Sequence, residues 1–167
     1  PKALPMPHER SPARIVSELE LARLLNAAPG ISSRHPILGI TLHAMIGLAA
    51  STGLRIGEIV RLDNSDVDLS GGVLTIRQTK FKKDRLVPMH ASMAAALRRY
   101  LVAREAAILK RDHVAFFLSL RGQRYTRHTL EGTLCALGRT IGIRGVTGRG
   151  PNFHSLRHRF AVQRLVV

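Results

Sequence analysis

The chain has 167 residues, 45% of them hydrophobic, with a single cysteine, no tryptophan and a formal net charge of +15. That length suits one domain with a sizeable core, the lone Cys135 excludes an internal disulfide, and the apolar runs stop short of the roughly 18 consecutive residues a membrane-spanning helix needs. So large a single-sign field, carried mostly by arginines whose planar forks match phosphate oxygens, points to a nucleic-acid partner and away from a membrane.

Residues 1–14 are Pro-rich and polar and read as a linker remnant ahead of a domain over 15–167. Ser17, with Glu20 three residues on, forms a capping box that starts a first helix. Leu21, Leu24 and Leu25 supply its apolar face, and Pro29-Gly30 stops it. A second helix over 36–51 is apolar nearly all round, which predicts the central core helix, with His43 as a satisfied core histidine. Gly53 suits the left-handed position that closes it. A short helix over 55–62 restarts at once, with Ile56, Ile59 and Val60 inward. Arg55 falls in its first turn, beside backbone N–H groups that favour an anion. Glu58 lies three residues further on the same side, where it can hold that guanidinium in place.

Turn residues at 63–66 and 70–72 lead into a period of two. Residues 73–78 and 85–89 read as two strands of a hairpin whose tip carries Lys80, Lys82 and Lys83. A long helix is predicted over 92–111, with Met93, Leu97, Leu101 and Ile108 on one face, followed by a short buried strand or extended segment over 115–119. Thr126 caps the next helix, striped by Leu130, Leu134, Leu137 and Ile141. Arg124, Arg127 and His128 gather at its start, where the helix dipole disfavours cations unless an anion is near. Beyond a glycine-rich loop over 142–150, a last helix presents Phe153, Leu156, Phe160 and Leu165 as a buried stripe. His154, Arg157 and His158 share its other face at i, i+3 and i+4. The expected fold class is mainly α with a small antiparallel β-sheet, and Cys135 is a small residue on a helix.

His154 and His158 have the spacing of a zinc pair, but Ser155 stands where the metalloprotease pattern needs its glutamate. No metal and no cofactor are expected. Arg55, Arg157, Lys80 and His154 are instead the residue types that phosphoryl transfer can use by themselves. They provide cations for the phosphate oxygens, an acid for the leaving oxygen and a base for the nucleophile.

The series Thr52-Gly53-Leu54-Arg55-x-x-Glu58, then Lys80 before Arg85-Leu86-Val87-Pro88, then His154-x-Leu156-Arg157-His158, closely resembles the catalytic domain of the tyrosine recombinases, the phage-integrase family. The resemblance runs from about Ile15 to the end. It implies the catalytic-core fold of that family and an enzyme that cuts and rejoins double-stranded DNA through a 3′-phosphotyrosyl intermediate. It also implies a homotetramer on paired sites and a cytoplasmic protein of bacterial, phage or mobile-element origin.

Carried over position by position, Arg55 and Arg157 clamp the scissile phosphate, Lys80 is the general acid and His154 bonds the phosphate or assists deprotonation. Glu58 and His158 support them. Lys82, Lys83, Arg85, Arg124, Thr126, Arg127 and His128 are the expected DNA contacts. The family's nucleophilic tyrosine lies further beyond the Arg157 position than Val167. The resemblance therefore implies a catalytic domain lacking its C-terminal end, one that binds DNA without cleaving it. Tyr100 reads as a helix-packing residue and Tyr125 as a loop or DNA-facing one. Two other readings stand beside this one: a non-catalytic DNA-binding or regulatory relative, and a metal-independent phosphodiesterase using His154, His158 and Lys80.

Overall fold

In a computed structural model of the chain, residues 14–77, 84–108, 114–145 and 148–165 are described; Lys80, Lys82 and Lys83 lie outside them. Helix α1, Glu18–Ala27, begins at the expected capping box. The Ser17 hydroxyl accepts from the Glu20 N–H at 3.1 Å, and the Glu20 carboxylate accepts from the Ser17 N–H at 2.9 Å. Helix α2, Pro36–Thr52, runs through the core because it has no polar face to present to water. Leu42, Met45, Ile46 and Leu48 are completely buried on it. Its polar groups are satisfied locally: Thr41 donates to the Ile37 carbonyl at 2.7 Å, and His43 Nδ1 donates to the Leu25 carbonyl at 2.8 Å.

α2 closes at Gly53, whose φ of 66° is the left-handed conformation that glycine adopts without penalty. Helix α3, Ile56–Arg61, follows, with Arg55 as its N-cap at φ −74° and ψ 146°. Arg55 thus stands just before the first turn and not within it. Three strands come next: β1, Val67–Asp68, β2, Val73–Ile76, and β3, Arg85–Pro88. They form one antiparallel sheet in the order β1-β2-β3, with Val73 opposite Pro88 and Ile76 opposite Arg85. β1 is too short for its alternation to show in sequence.

Helix α4, Ala91–Ala107, packs on α2 and buries Met93, Leu97 and Tyr100. It ends earlier than the predicted 111 because Ile108 turns extended and drops into a small separate cluster with Ala115 and Leu118. Of the two forms expected over 115–119, the structure has the buried extended segment, held by isolated bridges, Asp63 with Ala115 and Leu118 with Arg124. Phe116 and Phe117 are buried on it beside Tyr100. The Tyr100 hydroxyl accepts from the Leu118 N–H at 2.9 Å and donates to the Phe116 carbonyl at 3.2 Å. Tyr100→Phe leaves the Leu118 N–H buried and unpaired, so urea denaturation is expected to register a loss of about 1–3 kcal/mol.

Helix α5, Arg127–Thr140, starts at Thr126 as expected; its hydroxyl accepts from the Thr129 N–H at 3.1 Å. Helix α6, Phe153–Leu165, buries Phe153 and Leu156, but Leu165 is 83% exposed and Phe160 is only half-buried. The predicted stripe fails there because the last turn of α6 runs past the core. Ser155 and Arg159 take the buried positions instead. Arg159 donates to the Val16 carbonyl at 3.1 Å, tying α6 to the segment before α1. No helix among the described residues is long and apolar enough to cross a membrane. The architecture is mainly helical with a small three-stranded antiparallel sheet.

Candidate active site

The site is built around one buried carboxylate. Glu58 is held on α3 with its side chain 5% exposed, and it is satisfied from three directions. Its Oε2 accepts from the Arg55 backbone N–H at 2.8 Å and from Arg85 Nη2 on β3 at 3.0 Å, while Oε1 faces Arg55 Nη1 at 3.4 Å. Burying a carboxylate is costly unless it is paired and hydrogen-bonded, and here both conditions are met. The Arg55 side chain remains 56% exposed, so Glu58 fixes its root and leaves its fork available.

Arg157 arrives from α6, and its Nη1 donates to the carbonyl of Gly53, the residue that closes α2. Burial lowers the Arg157 pKa, the neighbouring Arg55 charge lowers it further, Glu58 opposes them and Arg85 adds to them. Three guanidiniums therefore share the field of one carboxylate. Such an excess of positive charge favours an anion between the arginines.

Arg55, Glu58, His154 and Arg157 line a cleft of about 500 Å³ between α3, the start of α5 and α6. His154 is exposed on its wall, and His158, one turn further along α6, is half-buried with its ring 6.4 Å away and nearly parallel. Glu131, the only acid after Asp112, accepts from the Phe153 backbone N–H at 3.2 Å and so fastens the start of α6 to α5. Among the described residues no group of three or more His, Cys, Asp or Glu is arranged to hold a metal ion.

The structure thus brings Arg55, Glu58, His154 and Arg157 to one cleft, with Arg85 behind Glu58. Arg127 lines the same cleft, and Thr126 and His128 are exposed beside it at the start of α5. Arg124 is turned inward. Its Nη1 donates to the carbonyls of Val60 at 2.7 Å and Leu62 at 3.1 Å, and its Nη2 meets Asp63 Oδ1 at 2.5 Å. Tyr125 lies in the loop before α5, half-buried against the core, and burial raises its pKa. Lys80, Lys82 and Lys83 are outside the described residues. Sequence reasoning missed Arg61 and Glu131, both of which line the cleft. The one available signal for Glu131 was its isolation in a long basic stretch.

A helical domain with a small sheet gathers two arginines and a histidine at one cleft, Arg55 from the start of α3 and His154 and Arg157 from α6, a set of residue types suited to a phosphate. Residues 14–165 match the model of the phage integrase family, and the chain belongs to that family, the site-specific tyrosine recombinases and integrases. It is 48% identical over 164 residues to the integrase/recombinase-type protein y4rE of Sinorhizobium fredii, covering 98% of this chain and 52% of the relative. It is 33% identical to the tyrosine recombinase XerC of Chlamydia caviae, over 96% of this chain and 46% of the relative. The chain therefore spans about half the length of the curated relatives it matches. The crystal structure of XerA recombinase superposes with a TM-score of 0.75 at 33% identity, over 90% of this chain and 50% of that one. XerH recombinase, in a pre-cleavage complex with its difH substrate, has the same fold, with a TM-score of 0.73 at 24% identity over 93% of this chain and 43% of that one.

Proposed function

We propose that residues 15–167 are the phosphate-clamping part of the catalytic domain of a DNA recombinase, with residues 1–14 leading into it. The single observation that carries this reading is the gathering of Arg55, Arg85 and Arg157 around the buried carboxylate of Glu58, with His154 on the same cleft. Arg55 and Arg157 hold the non-bridging oxygens of a backbone phosphate and stabilise the charge of the pentavalent transition state. A tyrosine Oη attacks phosphorus, the bond to the 5′-oxygen breaks, and Lys80 supplies the proton that this oxygen takes. His154 bonds the phosphate or receives the tyrosine proton, and His158 supports it from the next turn. Glu58 positions Arg55 and Arg85. The phosphotyrosyl bond conserves the energy for rejoining.

Lys82, Lys83, Thr126, Arg127 and His128 contact double-stranded DNA along the basic face, and the enzyme works as a homotetramer on paired sites. Arg124, with its donors engaged inside the fold, positions the turn after α3.

The attacking tyrosine comes from outside these residues. Tyr100 is fully buried with its hydroxyl committed to Phe116 and Leu118, and Tyr125 packs against the core. The 167-residue chain is therefore expected to bind duplex DNA, with an affinity that falls as salt rises, and to form no covalent product on a nicked suicide duplex bearing the recombination site. A covalent protein–DNA product from this chain would sink the assignment of the nucleophile. Turnover of RNA abolished by His154→Ala would move the protein to the phosphodiesterase reading.

A further inference from the structure

Two clefts meet on α3. The first, of about 500 Å³, holds the Arg55 and Arg157 clamp, and the second, of about 310 Å³, runs on towards β2; Glu58 and Arg61 line both. Arg55 is the N-cap of α3 and Arg61 its last residue, with Glu58 between them, so the two guanidiniums start from opposite ends of the helix. From Arg55 to Arg61 the helix rises roughly 9 Å, more than two of the 3.4 Å axial steps of a DNA strand. Such a spacing suits separate phosphates rather than two oxygens of one.

The guanidiniums lining these clefts differ in what they already hold. Arg55 has Glu58, Arg157 has the Gly53 carbonyl, Arg77 has Asp66, and Arg124 has Asp63 with two carbonyls. Arg61 and Arg127 are both exposed, and among the described residues neither has a hydrogen-bond or ion-pair partner. The acids nearby do not answer them: Glu58, Asp63 and Asp66 each face another arginine, and Glu131 takes the Phe153 N–H. The uncompensated charge of both clefts is therefore concentrated at Arg61 and Arg127, on the wall next to the scissile-phosphate clamp.

We propose that Arg61 and Arg127 form a second phosphate clamp, which takes another backbone phosphate of the DNA whose scissile phosphate is held by Arg55 and Arg157. This rests on the reading that the first cleft holds a DNA phosphate. The second clamp fixes the register of the strand, so that the scissile phosphate is presented to Arg55 and Arg157 and not slid past them.

The test is equilibrium binding of this chain to a short duplex across a potassium chloride series, with melting curves to confirm that each variant folds. Arg61→Ala and Arg127→Ala each weaken binding about tenfold, as loss of a hydrogen bond to a charged group does. The double variant lowers the slope of log K against log salt by about 0.9, the contribution of one phosphate. Arg61→Lys keeps most of the slope. Arg34→Ala, an exposed charge outside both clefts, leaves the slope unchanged. If Arg61→Ala behaves like Arg34→Ala, Arg61 is an ordinary solvated charge and the second clamp is wrong. A double variant that loses about twice 0.9 has removed two separate phosphates, and the shared clamp is equally wrong. Arg55→Ala, measured alongside, reports on the first clamp alone: if only it has no effect, the reading of the first cleft fails while Arg61 still contacts DNA.

Discussion

Arg157→Ala is expected to lower strand cleavage by the full-length recombinase about 10²–10³-fold, the usual cost of removing one donor to a developing oxyanion. Duplex binding should fall only severalfold, because ground-state affinity is spread over many phosphate contacts. Two features of the site make the effect large. The guanidinium is partly desolvated beside Arg55, and its Nη1 is fixed by the Gly53 carbonyl, so little reorganisation is needed when charge builds on the phosphate. Arg157→Lys should recover only part of the rate, since an ammonium has no planar fork with which to reach both the carbonyl and the phosphate. Single-turnover cleavage on a nicked suicide duplex, paired with fluorescence anisotropy for binding, separates the two quantities. Equal losses in binding and cleavage would reduce Arg157 to a plain affinity contact.

Gly53→Val should damage the same site without touching a charged group. A β-branched residue at φ 66° carries a left-handed penalty of about 1–2 kcal/mol. Its Cβ would also collide with the Phe160 ring, with Cε1 only 2.8 Å away. Overpacking of this kind adds about 1–3 kcal/mol, so a fall in melting temperature of about 5–15 °C is expected for a domain of this size. Relief of the clash requires α6 to move away from α2, and α6 carries His154 and Arg157. Calorimetry should therefore find the loss of stability, and DNA-binding curves a loss of affinity beyond it. A fall no larger than the backbone penalty alone, with DNA affinity unchanged, would mean that Phe160 swings aside freely and that the packing of α6 on Gly53 does not set the site.

The Gly53 junction also shows how far sequence reasoning reaches. The capping box at Ser17, the left-handed glycine after α2, the restart of a helix beside Arg55 and the cap at Thr126 all depend on residues at most a few positions apart. Each was readable because one turn of backbone imposes its own demands on side chains. The motifs around Arg55 and Arg157 were legible for the same reason: helical spacing alone puts Glu58 with Arg55 and His154 with Arg157 and His158. The misreadings have another origin. Ile108 and Leu165 continue a helical stripe in sequence, yet one leaves the helix for a separate cluster and the other lies past the edge of the core. Where an amphipathic pattern stops being buried depends on where neighbouring elements end, and periodicity carries no record of that.

Charge pairing has the same limit: Arg124 reaches Asp63 across 61 residues of chain and Arg85 reaches Glu58 across 27, and no local pattern contains such partners. Formal charge counts every arginine alike, whereas only folding decides which guanidiniums are spent on carboxylates and carbonyls inside the domain. By itself, then, the sequence determined the helical and strand segments, the basic character and the residue types of a phosphate clamp, because all of these are local or compositional. The tertiary structure alone decided that Arg157 meets the turn at Gly53, 104 residues earlier, and that Glu58 holds two arginines at once. It alone left Arg61 and Arg127 without partners among the described residues. These are contacts between distant parts of the chain, and their physical cause is the packing of α6 and α3 against α2, which brings the clamp together and sorts the engaged cations from the available ones.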